Sequence, residues 1–112
     1  SEADLRVQVT ARHCQVPDFI RERTHELVGK LTKYEPGLSS AEVIFEEEKR
    51  ESTVEIIASI ARAEPLVATG NGGDFRSALD KAVDRLSRML RRRRDRITDH
   101  KGPRLSEGVS GD

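Results

Sequence analysis

The chain has 112 residues, which fits one small domain, and its 20 basic and 20 acidic side chains give a formal net charge of zero. A zero net charge argues against a uniformly basic nucleic-acid-binding protein, and no apolar run approaches the roughly 20 residues that cross a bilayer. The single cysteine, Cys14, excludes an intrachain disulfide and fits a reducing compartment.

The N-terminal third of the chain predicts a strand and then a helix. Apolar and polar residues alternate over residues 4–10, as in a half-buried strand, and residues 11–15 are predicted as a connection. Pro17 and Asp18 favour the first turn of a helix. The helix is expected to end near Tyr34, because Pro36 and Gly37 follow.

The middle of the chain predicts three short strands, over residues 41–47, 53–61 and 65–69, with a charged turn at 48–52. Residues 70–73 have the sequence Gly-Asn-Gly-Gly and are predicted as a loop that leads into the next helix. Strands joined by such short turns are expected to pair antiparallel.

The last predicted element is a long amphipathic helix over residues 74–96, which contain no proline or glycine. One edge of its apolar stripe is basic and consists of Lys81, Arg85, Arg88, Arg92 and Arg96. At about 1.5 Å per residue, the cations from Lys81 to Arg92 span roughly 16 Å, enough to meet several phosphates.

The element order is therefore β-α-β-β-β-α, an α+β fold. Both helices must bury an apolar stripe, so we expect them to pack on one face of a four-stranded sheet. Residues 1–97 form the predicted domain. Residues 98–112 are rich in Gly, Ser and Pro without apolar periodicity, which predicts a flexible tail or the start of a linker.

Charge is segregated along the chain although its sum is zero. Residues 41–64 hold seven acids and three bases, net −4, whereas residues 74–96 hold four acids and nine bases, net +5. This distribution predicts that a polyanion docks on the second helix. The acidic middle segment supports an alternative, a protein-interaction module that recruits a partner through its sheet edge or tail.

The order of elements and several motifs resemble the ribosome hibernation-promoting factor family, also called the ribosome-associated inhibitor or sigma-54 modulation protein family. The strongest likeness is residues 74–91, where Asp, an aromatic residue, Ala, Leu and Arg recur in the family's spacing. Residues 30–34 (KLTKY) and 40–43 (SAEV) are also similar, and residues 11–13 stand where the family often has Gly-Arg-Asn. The resemblance covers roughly residues 5–97.

Two features depart from the family pattern. Ala11 replaces the glycine of that early turn, and the run Glu46–Glu48 is more acidic than usual. Long family members also add a C-terminal dimerisation domain after a linker. The chain therefore resembles either a short member or the N-terminal domain of a long one, which would form a homodimer through a domain absent from this chain.

The resemblance implies a translation inhibitor that binds the small ribosomal subunit between head and body, where it overlaps the tRNA and mRNA sites and keeps idle ribosomes inactive. It implies contacts to ribosomal RNA without catalysis, cofactor, metal or small-molecule substrate. It also implies a cytoplasmic location, with the plastid stroma as the alternative. The expected RNA-binding residues are Lys81, Arg85, Arg88, Arg91 and Arg92, with Lys30, Lys33, Tyr34 and Arg12 as a second group.

Some of these residues have ordinary structural explanations. Tyr34 suits packing at a helix end as well as RNA contact, and Lys30 and Lys33 suit a solvated surface. An enzyme is disfavoured, because the three histidines are far apart in sequence and no paired Cys or His supports a metal site. The glycine-rich segment at residues 70–73 lacks the Lys-Ser/Thr of a phosphate-binding P-loop.

Overall fold

The computed structural model describes residues 5–101, and the side chains of residues 5–97. The elements, in chain order, are β1 (Arg6–Arg12), α1 (Asp18–Gly29), β2 (Leu38–Glu48), β3 (Glu51–Ile60), β4 (Leu66–Gly72) and α2 (Phe75–Lys101). A 3-10 turn at Lys30–Lys33 continues α1. The predicted α+β order β-α-β-β-β-α is confirmed.

The four strands form one sheet in the order β1-β2-β3-β4. β1 and β2 pair parallel, which requires the crossover that α1 provides, while β2–β3 and β3–β4 pair antiparallel as predicted from their short turns. Only Lys49 and Arg50 separate the paired residues Glu48 and Glu51. Their φ angles of 53° and 69° are both positive, the signature of a tight type I′ hairpin turn.

Both helices pack on one face of the sheet, as predicted. α1 buries Ile20, Thr24 and Val28, and the Thr24 hydroxyl donates to the Ile20 carbonyl at 2.8 Å, so this buried polar group is satisfied. The remaining buried apolar side chains come mainly from α2 and from alternate positions of β2 and β3: Leu79, Ala82, Leu86, Leu90, Val43, Phe45, Val54, Ile56 and Ala58.

The prediction of a loop at residues 70–73 is wrong for Gly70 to Gly72, which belong to β4. The reason is the close approach of α2. A Cβ atom on Gly70 would lie 2.4 Å from the Ala78 carbonyl oxygen and 2.5 Å from the Ala82 nitrogen. Glycine is present here because the helix backbone rests directly on the strand, a recognised use of glycine within sheets.

Other boundaries shift by a few residues. β1 runs to Arg12, beyond the predicted end at residue 10, and β2 begins at Leu38, before the predicted start at residue 41. β3 begins at Glu51, inside the predicted charged turn. α2 continues to Lys101, past the predicted boundary at residue 97, and the rest of the predicted tail lies outside the described residues. None of the described helices is long and apolar enough to span a bilayer.

Candidate nucleic-acid interface

The long helix α2 lies along β4 and begins with a defined cap. The Asp74 carboxylate accepts a hydrogen bond from the Ser77 N–H at 2.8 Å, as an N-cap residue does. With 27 residues, α2 is about 40 Å long at 1.5 Å per residue. It therefore supplies one long scaffold for the predicted cations.

Two of these cations reach over β4. Lys81 Nζ donates to the Asn71 carbonyl at 3.1 Å, and Arg85 donates to the Thr69 carbonyl at 2.6 Å. Both side chains remain exposed to solvent. Because an ammonium group has three donors and a guanidinium has five, each keeps donors for a further acceptor.

Arg88 and Arg92 follow Lys81 and Arg85 on the same flank of α2. We call these four residues the outer row. Arg88 forms an ion pair with Asp84, one turn earlier, and the two side chains are 58% and 57% exposed. Such exposed helical pairs contribute only about 0.3–0.5 kcal/mol, so a phosphate can displace this carboxylate at little cost. Arg92 is exposed and has no ion pair within residues 5–97.

Arg91 lies on the opposite flank of α2, against the end of α1. Its guanidinium is 5.3 Å from the centroid of the Tyr34 ring, and Lys33 Nζ is 5.2 Å from the same centroid. These distances are typical of cation–π contacts. Arg91, which is outside the basic edge predicted from the helical spacing, is thus separated from the other four predicted cations of α2.

The residues predicted on the first helix meet Arg91 in one place. Lys30, Lys33 and Tyr34 line a groove of about 310 Å³ between α1 and α2, and together with Arg91 they form the inter-helix cluster. Lys30 Nζ lies 3.9 Å from Glu26, and both side chains are more than 60% exposed. Tyr34 is half-buried and packs against the core, which agrees with a packing role, while its contact with RNA stays a prediction.

Arg12 does not join either group. It lies at the end of β1, in register with Glu46 of β2. Val7 and Val9 pack against the core on the helix side of the sheet, and side chains alternate along a strand. Arg12 therefore belongs to the opposite, open face of the sheet.

Three further arginines hold the two helices in this arrangement. Arg23 of α1 donates two hydrogen bonds to Asp80 of α2, at 2.9 and 3.0 Å. These hydrogen bonds raise the pKa of the Arg23 guanidinium, with smaller contributions from the charges of Asp80 and Glu26 and an opposing one from desolvation. Arg23 thus stays charged, and the pair fixes the spacing of α1 and α2.

The other two arginines anchor the segment that follows α1. Arg93 forms an ion pair with Glu35, with side chains 22% and 15% exposed, and Arg94 donates to the Tyr34 carbonyl at 3.1 Å. The Glu35 carboxylate also accepts from the Gly37 N–H at 2.7 Å. Glu35, Arg93 and Arg94 could not be predicted as positioning residues, since nothing in their spacing indicates contacts across 58 or 60 residues.

The described part of the chain offers little for metal chemistry. Among residues 5–101, no three His, Cys, Asp or Glu side chains lie together in a way that could hold a metal ion. His13 and His25 are both exposed, and Cys14 donates its thiol to the Phe45 carbonyl at 3.5 Å. The outer row and the inter-helix cluster, in contrast, are suited to binding an extended anion along two sides of α2.

Comparison with known sequences gives a match over most of the chain. Residues 7–98 match the family described as sigma 54 modulation protein / S30EA ribosomal protein. The ribosome hibernation promotion factor of Rhizobium meliloti is 28% identical over 97 residues, which cover 86% of this chain but 51% of that protein. The ribosome hibernation promoting factor of Escherichia coli K12 is 23% identical over 96 residues, covering 86% of this chain and all of that protein.

Solved structures show the same fold. A ribosomal subunit interface protein from Coxiella burnetii superposes with a TM-score of 0.75 at 17% identity, covering 80% of this chain and 98% of that one. The N-terminal domain of Thermus thermophilus Protein Y superposes with a TM-score of 0.69 at 24% identity, covering 76% and 93%. At these identities the likeness concerns the fold alone.

Proposed function

Because the chain belongs to the sigma 54 modulation protein / S30EA ribosomal protein family, we propose that it is a ribosome-binding translation inhibitor. In this proposal it occupies the tRNA and mRNA cleft of the small subunit and inactivates idle ribosomes in the cytoplasm, without catalysis or a cofactor. Two relatives that carry hibernation-factor names support this function. The chain spans about half the length of the Rhizobium relative, so any further activity of a longer protein lies outside the proposal.

The observation that carries the proposal is the pair of basic flanks on α2. The outer row and the inter-helix cluster present cations along two sides of α2. Two acids of α2, Asp80 and Asp84, share the groove of the inter-helix cluster and are paired with Arg23 and Arg88. Contacts from such basic flanks go to phosphates, so they give affinity and recognition of RNA shape without reading bases. The proposed RNA-contacting residues are Lys81, Arg85, Arg88, Arg91 and Arg92, then Lys30, Lys33, Tyr34 and, from the open face, Arg12.

A charge reversal tests the outer row. Arg88→Glu with Arg92→Glu changes two exposed side chains that form no hydrogen bond or ion pair with β4 among residues 5–97, so the fold is expected to survive. We expect co-sedimentation with small ribosomal subunits to weaken by at least about tenfold, because two phosphate contacts become repulsive. The matched control is Arg6→Glu with Arg62→Glu, which makes the same charge change on exposed residues outside α2.

Salt dependence and competition test the rest of the proposal. Phosphate contacts predict that log affinity falls with log salt by about 0.7–0.9 per contact, whereas a protein partner bound through a sheet edge or the tail predicts a shallow slope. Occupancy of the cleft predicts that tRNA and this protein exclude each other from the small subunit. Simultaneous binding, or equal binding by the Arg88/Arg92 variant and the wild type, would contradict the proposal.

A further inference from the structure

Beyond this function, we propose that the free edge of β4 is an interaction surface for a second copy of the chain, and that Lys81 and Arg85 keep it closed. We call these two residues the edge-closing pair. This inference concerns strand pairing in the isolated protein and does not depend on ribosome binding.

β4 has the properties of an unprotected edge strand. It pairs with β3 on one side, and none of the strands described within residues 5–101 lies on its other side. Its sequence, LVATGNG, contains no charged residue, and Val67 is 48% exposed. Natural edge strands avoid pairing with other chains through charged side chains, especially lysine, or through a covering element. The other edge strand, β1, carries Arg6 and Arg12 in its own sequence, whereas β4 has no such residue.

The missing protection comes from α2. The two carbonyls that accept from Lys81 and Arg85 belong to Asn71 and Thr69, alternate residues of β4. In an antiparallel strand, alternate residues direct their backbone groups to the same side. One turn of helix separates the two cations by about 6 Å, which matches the roughly 6.8 Å between alternate residues of a strand. The edge-closing pair thus covers two successive acceptors on one side of β4.

This arrangement depends on Gly70. Because the helix backbone rests directly on the strand at this glycine, side chains from the flank of α2 are long enough to pass the strand and reach its carbonyls. A helix held further away by a side chain at position 70 would leave the edge uncovered.

A second copy is the partner that fits this edge. Two antiparallel edges related by a two-fold axis satisfy each other's N–H and C=O groups, as isologous interfaces require. The formal net charge of zero gives no overall repulsion between copies, a condition that favours association. In the wild type, such a dimer would bring two copies of Lys81 and Arg85 together at the interface. It would also break their hydrogen bonds to the Asn71 and Thr69 carbonyls, so dimerisation is disfavoured.

Removal of the edge-closing pair tests the inference. Lys81→Gln with Arg85→Gln is compared with the wild type by sedimentation equilibrium over a range of protein concentrations, without ribosomes or RNA. We expect the variant to self-associate more than about tenfold more tightly than the wild type. The matched control, Arg76→Gln with Arg92→Gln, removes two positive charges from the same helix at residues that form no hydrogen bond with β4 within residues 5–97, and it is expected to remain monomeric like the wild type.

Two further measurements locate the interface. Adding Val67→Lys to the double variant places a charge on the exposed side of β4 and is expected to restore the monomer. Amide hydrogen exchange is expected to slow at Val67, Thr69 and Asn71 as the double variant associates. A folded double variant that stays monomeric overturns the inference, as does equal association of the control or association that leaves these amides unprotected.

The outcome is separable from that of the proposed function. If the wild type fails to bind ribosomal subunits, the sedimentation result for the edge-closing pair is unchanged. If the double variant stays monomeric, the ribosome-binding assays of the Arg88/Arg92 variant keep their meaning.

Discussion

Replacement of Gly70 by alanine tests whether the contact between α2 and β4 determines the fold. The added Cβ would lie 2.4 Å from the Ala78 carbonyl oxygen, 2.5 Å from the Ala82 nitrogen and 2.9 Å from the Lys81 Cβ. Two of these atoms are helix backbone, which cannot rotate away as a side chain end can. Overpacking usually costs about 1–3 kcal/mol, and the backbone contacts place this case at the upper limit.

The expected net loss is somewhat smaller than that upper limit. Alanine in place of glycine stabilises by about 0.4–1 kcal/mol through the unfolded chain. We therefore expect Gly70→Ala to lower the free energy of unfolding by about 2–2.6 kcal/mol. In a domain of this size each kcal/mol lowers Tm by about 4–8 °C, so Tm should fall by roughly 10–20 °C.

Urea denaturation followed by circular dichroism measures this loss, and Gly73→Ala is the matched control. Gly73 is exposed, and a Cβ there would meet no atom within 4 Å. The control is expected to stay within about 0.5 kcal/mol of the wild type, as surface substitutions usually do. If Gly70→Ala is as stable as Gly73→Ala, the helix does not rest on the strand as described, and the explanation of the glycine in β4 is wrong.

Three other tests have expected outcomes that the same denaturation assay can check. Gly29→Ala in α1 should stabilise by about 0.5–1 kcal/mol, since a Cβ there meets nothing within 4 Å; no gain would contradict the helical conformation of Gly29. Glu35→Ala should cost about 2–3 kcal/mol by removing a half-buried charged acceptor, and adding Arg93→Ala should cost little more; full additivity would exclude their coupling. Lys49→Asn with Arg50→Gly should stabilise by about 1–2 kcal/mol, because both residues have positive φ; a loss would show that the turn is not strained.

The sequence was sufficient to predict the elements that have a clear period. The apolar residues of α2 recur at helical spacing and Val54, Ile56 and Ala58 of β3 at every second position, and both sets are buried, because these patterns follow directly from helix and strand geometry. β4 was predicted too short because its last residues show no such pattern. Gly70 and Gly72 are typical of loops when seen alone, and only the tertiary contact with α2 explains why they lie in a strand.

The candidate site was predictable to a similar extent. Spacing on the helical wheel correctly grouped Lys81 with Arg85 on one flank of α2, but the acceptors that they contact come from β4 and could not be read from the helix. Arg91 was predicted only as an RNA-binding residue of the same helix, and the folded chain places it against the ring of Tyr34, which follows the 3-10 turn after α1. The predicted roles of these residues in RNA binding stay predictions until the ribosome-binding assays are done.

The contacts of Glu35 with Arg93, and of the Tyr34 carbonyl with Arg94, have a practical consequence for shortened versions of the protein. The apolar part of α2 that packs on the sheet ends at Leu90, so a chain cut there would keep every core side chain of this helix. It would nevertheless lose Arg93 and Arg94, which bind Glu35 and the Tyr34 carbonyl in the segment after α1. The inter-helix cluster would lose Arg91 as well. The smallest piece able to present both basic flanks therefore extends at least to Arg94.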